Sequence, residues 1–563
     1  MSDAARRLAR DAAERAPHDA MAWIVLAEEE LDAGDAQAGD AAARRALALQ
    51  PGHPEALARL GRAQWMQGAR LEAVDSLQHA SDAAPMHPGI AVWLAHALED
   101  VGEGEAASAA YARAYSLAPD EPQLAAYLLA WRRRLCDWRD LDRLSLQVRA
   151  AVGNGRASVE PFAFLSEDST PAEQLACARQ RAAQVVRSIQ PLPAPPPPTG
   201  DALRVGFLSN GFGAHPTGLL TVAMFEALRA QCDAGAHPGW GTHLFALTGD
   251  DASPIRARLQ AAAHALHDVS QRPHVRVAQA IRDARIDVLF DLRGWGGGGA
   301  PEVLAMRPAR MQVNWLAYPG TSGASWIDAV LADPVVLPDA LAAHFSERVV
   351  RLPRCFQPSD TSRALGAPPS RAACGLPDEG VVFCCFNNSY KLNPRSVARA
   401  LAVIRDVPGS VLWLLSGPGR ADDRLRDVAR AQGVDPSRLV FMRKQPHATD
   451  LARLQQADLF LDTTPYNAHT TASDAVWAGC PVLTTPADTF ASRVAGSLNV
   501  HLGMPHLNIT DDAAFVARAV ALGRDDALRG DLRAELAARR ADSGLFDMDG
   551  FAQDFVTAVR ALH

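Results

Sequence analysis

Residues 462–485, DTTPYNAHTTASDAVWAGCPVLTT, indicate how the larger part of the chain folds. The apolar run LFLD ends at Asp462, and a polar turn follows it. Residues from about 469 to 478 then have the apolar spacing of a helix, and a second apolar run, CPVLTT, comes after them. A short strand, a helix and another short strand in this order predict a parallel βαβ unit.

The same alternation recurs from residue 201 to the end of the chain. Short apolar runs separated by helical segments are typical of strands buried in parallel sheets. The runs are LRVGFLSN, HLFALTGD, DVLFDLRG, MQVNWLAYPG and RVVRLP, then VVFCCFNN, SVLWLLSG, LVFMRK, LFLDTTP and CPVLTT. They suffice for two Rossmann-like domains that face each other across a cleft. Ligands of such sheets bind at the carboxyl ends of the strands, so the residues after each run are the candidates for a site.

The first 120 residues repeat themselves. Landmarks recur every 34 positions in three sets: Leu26, Leu60 and Leu94; Ala46, Ala80 and Ala114; Pro51, Pro85 and Pro119. This period, with small residues where helices touch and a proline closing each pair, predicts tetratricopeptide repeats, a partial leading unit and three fuller ones. A plain Ala-rich helical bundle is the alternative. Stacked repeats offer a groove for extended peptide, so the module predicts a protein partner.

The stretch PLPAPPPPTG (191–200) is the clearest linker, because prolines hold the backbone extended and stop a helix. We therefore expect tetratricopeptide repeats in 1–120 and a helical connector with this linker in 121–200. A first Rossmann-like half follows in 201–375. A second half with closing helices follows in 376–563. The predicted fold class is an α-superhelix followed by a pair of α/β domains.

Composition argues against several classes of protein. A formal net charge of -8 gives no broad basic surface for nucleic acid. No apolar run reaches the length of about 18 residues that a membrane helix needs, and the N-terminus lacks a signal core. The eight cysteines form no CxxC pairs, which favours a reducing cytoplasm over structural zinc. The two DxD strings do not follow strands and no GxxxxGK[ST] loop occurs, so neither a manganese site nor an NTPase is indicated.

The predicted helix start after LFLD carries candidate phosphate-binding groups. Free amide groups, the positive end of the helix dipole and the hydroxyls of Thr470 and Thr471 suit a diphosphate. Asp474 lies on the same face, where a carboxylate can accept from ribose hydroxyls. The alternative needs no ligand: a threonine caps the helix and Asp474 favours its first turn.

Two further strand ends carry candidate catalytic residues. Lys391, after VVFCCF, can neutralise charge on a departing diphosphate without a metal; a solvated surface lysine is the alternative. His215, in GFGAHPTG after the first strand, can position a sugar or handle a proton. A lone loop histidine that is simply exposed is the alternative there.

Taken together, these motifs resemble the protein O-GlcNAc transferases, in a bacterial form. The resemblance covers nearly the whole chain. It rests on the repeats and on LCDW (135–138), VGFLSNGFGAHPTG, RPARMQVNWLAYPGTSG, FCCFNNSYKLNP and HTTASDAVWAGCPVLTTPADTFASRVA, in that order.

The resemblance implies a GT-B type, inverting, metal-independent transferase that moves GlcNAc from UDP-GlcNAc to serine or threonine hydroxyls of proteins. His215 is similar to the active-site histidine and Lys391 to the lysine that binds the pyrophosphate. The implied donor-binding residues are Asn388, His469, Thr470, Thr471, Asp474, Tyr318, Pro319, Gly320 and Tyr466. No cofactor is implied beyond the UDP-sugar donor, and an oligomer is left open.

The chain also departs from the family pattern. Gly211-Phe212-Gly213 stands where the family has DFG, and Tyr466 stands where animal members carry cysteine near the N-acetyl group. A bulkier Tyr466 narrows that pocket, so another donor sugar such as that of GDP-fucose stays open. A tetratricopeptide scaffold that binds UDP with little turnover is the alternative from another class.

Overall fold

The computed structural model describes residues 3–156, 159–187, 189–195 and 202–562. They form two compact units. One runs to Val148 and takes in Gly417–Asp422; the other comprises Arg149–Ser416 and the chain from Asp423 onward. Among the described residues, no helix combines the length and apolar character that crossing a lipid bilayer requires.

Successive helices build the first unit. Helices α1 to α8 are Asp3–Arg15, Ala20–Asp32, Ala36–Leu49, Pro54–Met66, Arg70–Ala83, Pro88–Asp100, Gly104–Leu117 and Pro122–Arg134. Helix α9, Leu141–Gly153, begins in this unit and ends in the other. Alternate helices begin at residues 20, 54, 88 and 122, which confirms the 34-residue period and continues it into α8. The helical repeats predicted from that period are therefore present.

Small residues allow these helices to approach closely. Ala46, Ala80 and Ala114 are fully buried. A Cβ added to Gly61 would lie 2.6 Å from the Cγ of Leu77, well inside van der Waals contact. A larger side chain at this position would push two neighbouring helices apart, a change that typically costs about 1–3 kcal/mol.

The second unit contains a seven-stranded parallel sheet. Strands β1 to β7 are Leu203–Ser209, Trp240–Ala246, Ala265–Asp268, Val288–Asp291, Met311–Asn314, Ala329–Ala332 and Arg348–Arg351. Helices α10 and α11 precede the sheet and are Pro161–Phe164 and Pro171–Val186. Helices α12 to α16 lie between its strands along the chain and are Pro216–Asp233, Pro254–Ala262, His274–Asp283, Pro301–Ala305 and Asp339–Ala342. The strand order is β3-β2-β1-β4-β5-β6-β7.

A five-stranded parallel sheet follows in the same unit. Strands β8 to β12 are Val382–Cys385, Val411–Leu415, Leu439–Met442, Leu459–Leu461 and Val482–Leu483, in the order β10-β9-β8-β11-β12. Helices α17 to α24 are Pro394–Asp406, Ala421–Ala431, His447–Leu454, Thr470–Trp477, Val494–Leu502, Asp512–Arg524, Asp526–Asp542 and Met548–Arg560. Helical repeats followed by two parallel sheets confirm the predicted fold class.

Both sheets share one topology near their centres. The order of strands reverses between β1 and β4 in the first sheet and between β8 and β11 in the second. Such switch points leave a crevice at the carboxyl ends of the two strands, where ligands bind. The loops after these four strands are therefore the places to look for a site.

The last helix returns to the first sheet. The ring of Phe555 in α24 lies 5.1 Å from that of Phe290 and 5.2 Å from that of Trp315, on strand β4 and just after strand β5. Residues 191–195 of the predicted linker have no regular secondary structure, and its other residues, 196–200, lie outside the described residues. The four predicted domain ranges stay predictions.

Candidate functional site

The loops after β8 and β11 are tied together by a buried carboxylate and a buried amide. Asp462 accepts hydrogen bonds from the amide of Ala468 at 2.7 Å and from the hydroxyl of Thr484 at 2.7 Å. Asn387 donates to the hydroxyl of Thr463 at 2.8 Å and accepts from the hydroxyl of Thr471 at 2.8 Å. These bonds fix the polar turn that precedes α20.

Lys391 is buried beside this turn, so the alternative of a solvated surface lysine is wrong. A single 3-10 turn, Ser389–Lys391, brings its Nζ 2.6 Å from the carbonyl oxygen of Asn467, to which it donates. The Nζ also lies 3.9 Å from the ring centroid of Tyr466. Burial lowers the pKa of Lys391 to about 7, although the nearby Asp462 favours its charged form. A negative charge placed next to this lysine would stabilise its protonated form and raise its pKa.

Helix α20 begins at Thr470, within the predicted range. His469 occupies the position before it, and no side chain caps the first amide groups of the helix. The alternative of a threonine N-cap is therefore wrong. The hydroxyl of Thr471 is held by Asn387, as described, and His469 Nε2 lies 3.1 Å from the carbonyl oxygen of Ala491. Burial, followed by the charge of Lys391, lowers the pKa of His469 well below its usual value, so its imidazole is neutral.

Asp474 has partners within the chain. Its carboxylate accepts from Arg363 Nη1 at 2.6 Å and lies 3.1 Å from His447 Nε2. The guanidinium of Arg363 is buried and also packs 5.0 Å from the ring of Trp477. A ribose contact by Asp474 stays a prediction. Sequence reasoning missed Arg363 and His447, since neither is near Asp474 along the chain.

The loop after β1 positions His215. Its Nδ1 accepts from the amide of Thr217 at 3.2 Å, which caps helix α12. A Cβ on Gly211 would lie 2.4 Å from that Nδ1, so the glycine in the GFG string leaves room for the ring. Burial, with smaller effects from Arg293 and Lys444, lowers the pKa of His215 to about 4. The imidazole is half-buried and neutral near pH 7, and the alternative of a simply exposed loop histidine is wrong.

Arg293, directly after β4, faces this histidine. Its Nη1 lies 3.5 Å from His215 Nε2, and its Nη2 donates to the carbonyl oxygen of Gly297. Asn210, after β1, donates to the same carbonyl at 3.3 Å, which links the two strand ends. Sequence reasoning did not select Arg293; the signal was a single arginine between an apolar run and four glycines, RGWGGGG.

The predicted strand-end loop Tyr318-Pro319-Gly320 packs against the Arg293 loop. A Cβ on Gly294 would lie 2.6 Å from the Cβ of Tyr318, and Asn314 donates to the carbonyl of Gly320 at 3.0 Å. Tyr318 and Tyr466 belong to one buried apolar cluster. Tyr466 therefore contacts Lys391 while it packs in a core shared with the first sheet.

The remaining predicted donor residue, Asn388, lies at the edge of this arrangement. It is exposed, and its amide nitrogen lies 3.4 Å from the hydroxyl of Tyr390. Its neighbour Asn387 is the buried member of the pair. In the part of the chain that the structure describes, no group of three or more histidine, cysteine, aspartate or glutamate side chains is arranged to hold a metal ion.

Comparisons with known proteins agree on a family. The family model described as glycosyl transferase family 41 matches residues 192–367 and 364–555. A probable UDP-N-acetylglucosamine–peptide N-acetylglucosaminyltransferase, SEC, of Arabidopsis thaliana is 32% identical over 73% of this chain and 44% of its own length. The UDP-N-acetylglucosamine–peptide N-acetylglucosaminyltransferase of Caenorhabditis elegans is 28% identical over 63% of this chain and 40% of its own length. The chain thus spans less than half the length of either relative.

A solved structure shares the whole architecture. A mutant O-GlcNAc transferase of Thermobaculum terrenum superposes with a TM-score of 0.68 over 96% of each chain, at 24% identity. At this identity the likeness concerns the fold alone.

Proposed function

Because the chain belongs to glycosyl transferase family 41, we propose that it transfers GlcNAc from UDP-GlcNAc to serine or threonine hydroxyls of proteins. The names of the Arabidopsis and Caenorhabditis relatives support UDP-GlcNAc as the donor and a peptide as the acceptor. The observation that carries the proposal is the burial of Lys391 against the turn that leads into the uncapped start of α20. A cation and a helix N-terminus side by side suit a diphosphate.

In the proposed reaction the acceptor hydroxyl attacks the anomeric carbon and inverts it. The bond from that carbon to the phosphate oxygen breaks, and its electron pair leaves with UDP. Lys391, Thr470, Thr471 and the helix start take up the charge on the departing diphosphate. Preorganised charge of this kind is usually the largest contribution to catalysis, and one donor is worth about 10²–10³ in kcat.

The proposal uses no metal ion. Lys391 titrates near neutral pH, with a pKa of about 7, and an arriving diphosphate stabilises its charged form. The ammonium and the helix start then supply the positive charge that a divalent cation supplies in other transferases. Metal independence and inversion both remain part of the proposal.

We assign His215 to orienting a substrate group rather than to removing the proton. Its Nδ1 accepts from Thr217, so the proton of the neutral ring is on Nε2, which makes that nitrogen a donor. A pKa of about 4 also makes the ring a weak base at pH 7. The acceptor's proton passes to a base other than His215.

A different donor sugar is the second candidate, favoured by one observation. The ring of Tyr466 is buried and in contact with Lys391, so it occupies space next to the diphosphate-binding cation. The bulk of the Tyr466 ring leaves less room for the N-acetyl group of GlcNAc, so it favours a donor whose sugar lacks that group, such as GDP-fucose. Protein acceptors that lie along the helical repeats complete the proposal.

A cytoplasmic location is also proposed. It is supported by the eight cysteines, all of which are free thiols in the structure.

The test is transfer of label from UDP-GlcNAc. Purified protein is incubated with labelled donor and a bacterial lysate, and both labelled protein and released UDP are measured. Lys391→Met is the matched control, expected to bind UDP in part but to lose turnover. UDP binding without either product would favour the scaffold alternative, and a calorimetric panel of nucleotide sugars separates the donors.

A further inference from the structure

Arg293 is a partly buried cation that lacks a carboxylate partner among the described residues. Its Nη2 donates to the carbonyl of Gly297, and its Nη1 faces the imidazole of His215. The nearest candidate, Asp291, is turned to the backbone instead: its Oδ1 accepts from the amides of Arg293 at 2.9 Å and Gly294 at 3.0 Å. The charge of Arg293 is therefore not neutralised by an ion pair within the described chain.

Such an arrangement is unfavourable unless an anion completes it. Burial lowers the pKa of Arg293 because its charged form loses solvation, and the nearby carboxylate of Asp291, which is not hydrogen-bonded to the guanidinium, only partly opposes this effect. The Nε of Arg293 is buried without a hydrogen-bond partner. Partly buried cations that are kept in a cleft normally pair with an anion or hydrogen-bond fully.

The contact between Arg293 and His215 pairs two hydrogen-bond donors and lacks an acceptor. Because His215 Nδ1 accepts from Thr217, the Nε2 of the neutral ring carries a proton. Arginine can only donate. Two donors 3.5 Å apart therefore face each other, and a single oxygen placed between them and the cleft can accept from both.

The strand ends of the second sheet carry the diphosphate candidates. Lys391 lies over the ring of Tyr466, and the charge of Arg293 acts on the same tyrosine hydroxyl, lowering its pKa against the larger effect of burial. Gly294, next to Arg293, packs against Tyr318, which belongs to the same buried cluster as Tyr466. The loops that carry Arg293 and Lys391 therefore both reach this cluster.

We propose that Arg293 is a second cation for the donor's diphosphate, donating from Nη1 to an anionic oxygen that His215 Nε2–H also reaches. This inference rests on the proposed function. In that reaction the acceptor hydroxyl and the sugar are neutral, so the diphosphate is the anion available to an unpaired guanidinium. The first sheet would then contribute directly to stabilising the leaving group.

The test compares UDP with uridine, which lacks the diphosphate, by calorimetry. Arg293→Met is expected to weaken UDP binding about tenfold or more while uridine binding is unchanged. Turnover of the same variant is expected to fall about 100-fold. Arg293→Lys keeps a charge but loses the fork and should give intermediate values. Arg276→Met, at an exposed arginine of α14, is the matched control and should match the wild type for both ligands.

Two results would overturn the proposal: unchanged UDP affinity in Arg293→Met, or an equal loss for UDP and uridine. Thermal unfolding checks that the variant is folded, and Arg293→Lys carries the comparison if it is not. If the wild type binds UDP but transfers no sugar, the proposed function fails while the ratio of UDP to uridine affinity still decides the role of Arg293. If the wild type prefers GDP, the same comparison uses GDP and guanosine.

Discussion

Replacing the buried Lys391 by methionine should stabilise the protein while it abolishes most turnover. The pKa of Lys391 falls from 10.5 to about 7 on folding. At about 1.4 kcal/mol per pKa unit, burying the charged amine opposes folding by about 5 kcal/mol. Methionine removes this cost of burying a charge, but it leaves the carbonyl of Asn467 without its hydrogen-bond donor, which costs about 1–3 kcal/mol. The net gain expected for Lys391→Met at pH 6 is about 2–4 kcal/mol.

The stability difference between Lys391→Met and the wild type depends on pH in a direction that the pKa of Lys391 fixes. Below pH 7 both folded and unfolded wild-type chains carry the lysine proton, so the full unfavourable term is present. Between about pH 7 and 10.5 the unfolded chain binds more protons than the folded one, so the free energy of unfolding of the wild type rises with pH. The advantage of Lys391→Met should therefore be largest at pH 6 and shrink steadily toward pH 10. Titrating groups that lie away from Lys391 are shared by both proteins and cancel in the difference.

Urea unfolding at pH 6 and at pH 9.5 measures this difference. The chain's other lysine provides the control: Lys444 is exposed, and Lys444→Met should change the free energy of unfolding by less than about 0.5 kcal/mol at either pH. A Lys391→Met variant that is less stable than the wild type at pH 6 would refute the reasoning. So would a stability gap that stays constant as the pH rises.

Three further predictions concern the surroundings of the site. Gly211→Ala places a Cβ 2.4 Å from the ring of His215 and should lower turnover about 100-fold by displacing it; unchanged kcat would contradict this. Asp474→Ala leaves the buried Arg363 without its carboxylate and should destabilise the protein by about 3 kcal/mol in urea, against a change near zero if the pair is unimportant. Dialysis against EDTA should leave turnover intact, and activity that is lost and then restored by manganese would contradict a metal-independent reaction.

Most of the fold follows from local sequence patterns. Ten of the twelve strands in the described residues coincide with apolar runs. Most of the ten are buried, and strands buried on both faces need continuous apolar sequence. The two that were not predicted have weaker signals. Ala265–Asp268 is an edge strand whose side chains are half-buried or exposed, and Ala329–Ala332 has alanine, a weak strand former, at each end.

The site was predictable only where local pattern defines it. Lys391 and Thr471 could be selected because each follows a strand and lies at or near a helix start. Arg293 and Arg363 act through contacts with His215 and Asp474, which lie 78 and 111 residues away along the chain. No spacing rule connects such pairs, since they meet only when two loops of the folded sheet are brought together.

The position of α24 has a consequence for how the protein is made. Phe551 and Phe555 pack against Trp315, so α24 completes an apolar layer over a sheet that begins more than three hundred residues earlier. A ribosome still translating α24 leaves that layer open to water. The first sheet therefore reaches its final packing only after α24 has left the ribosome, and until then this face exposes apolar surface that chaperones can shield.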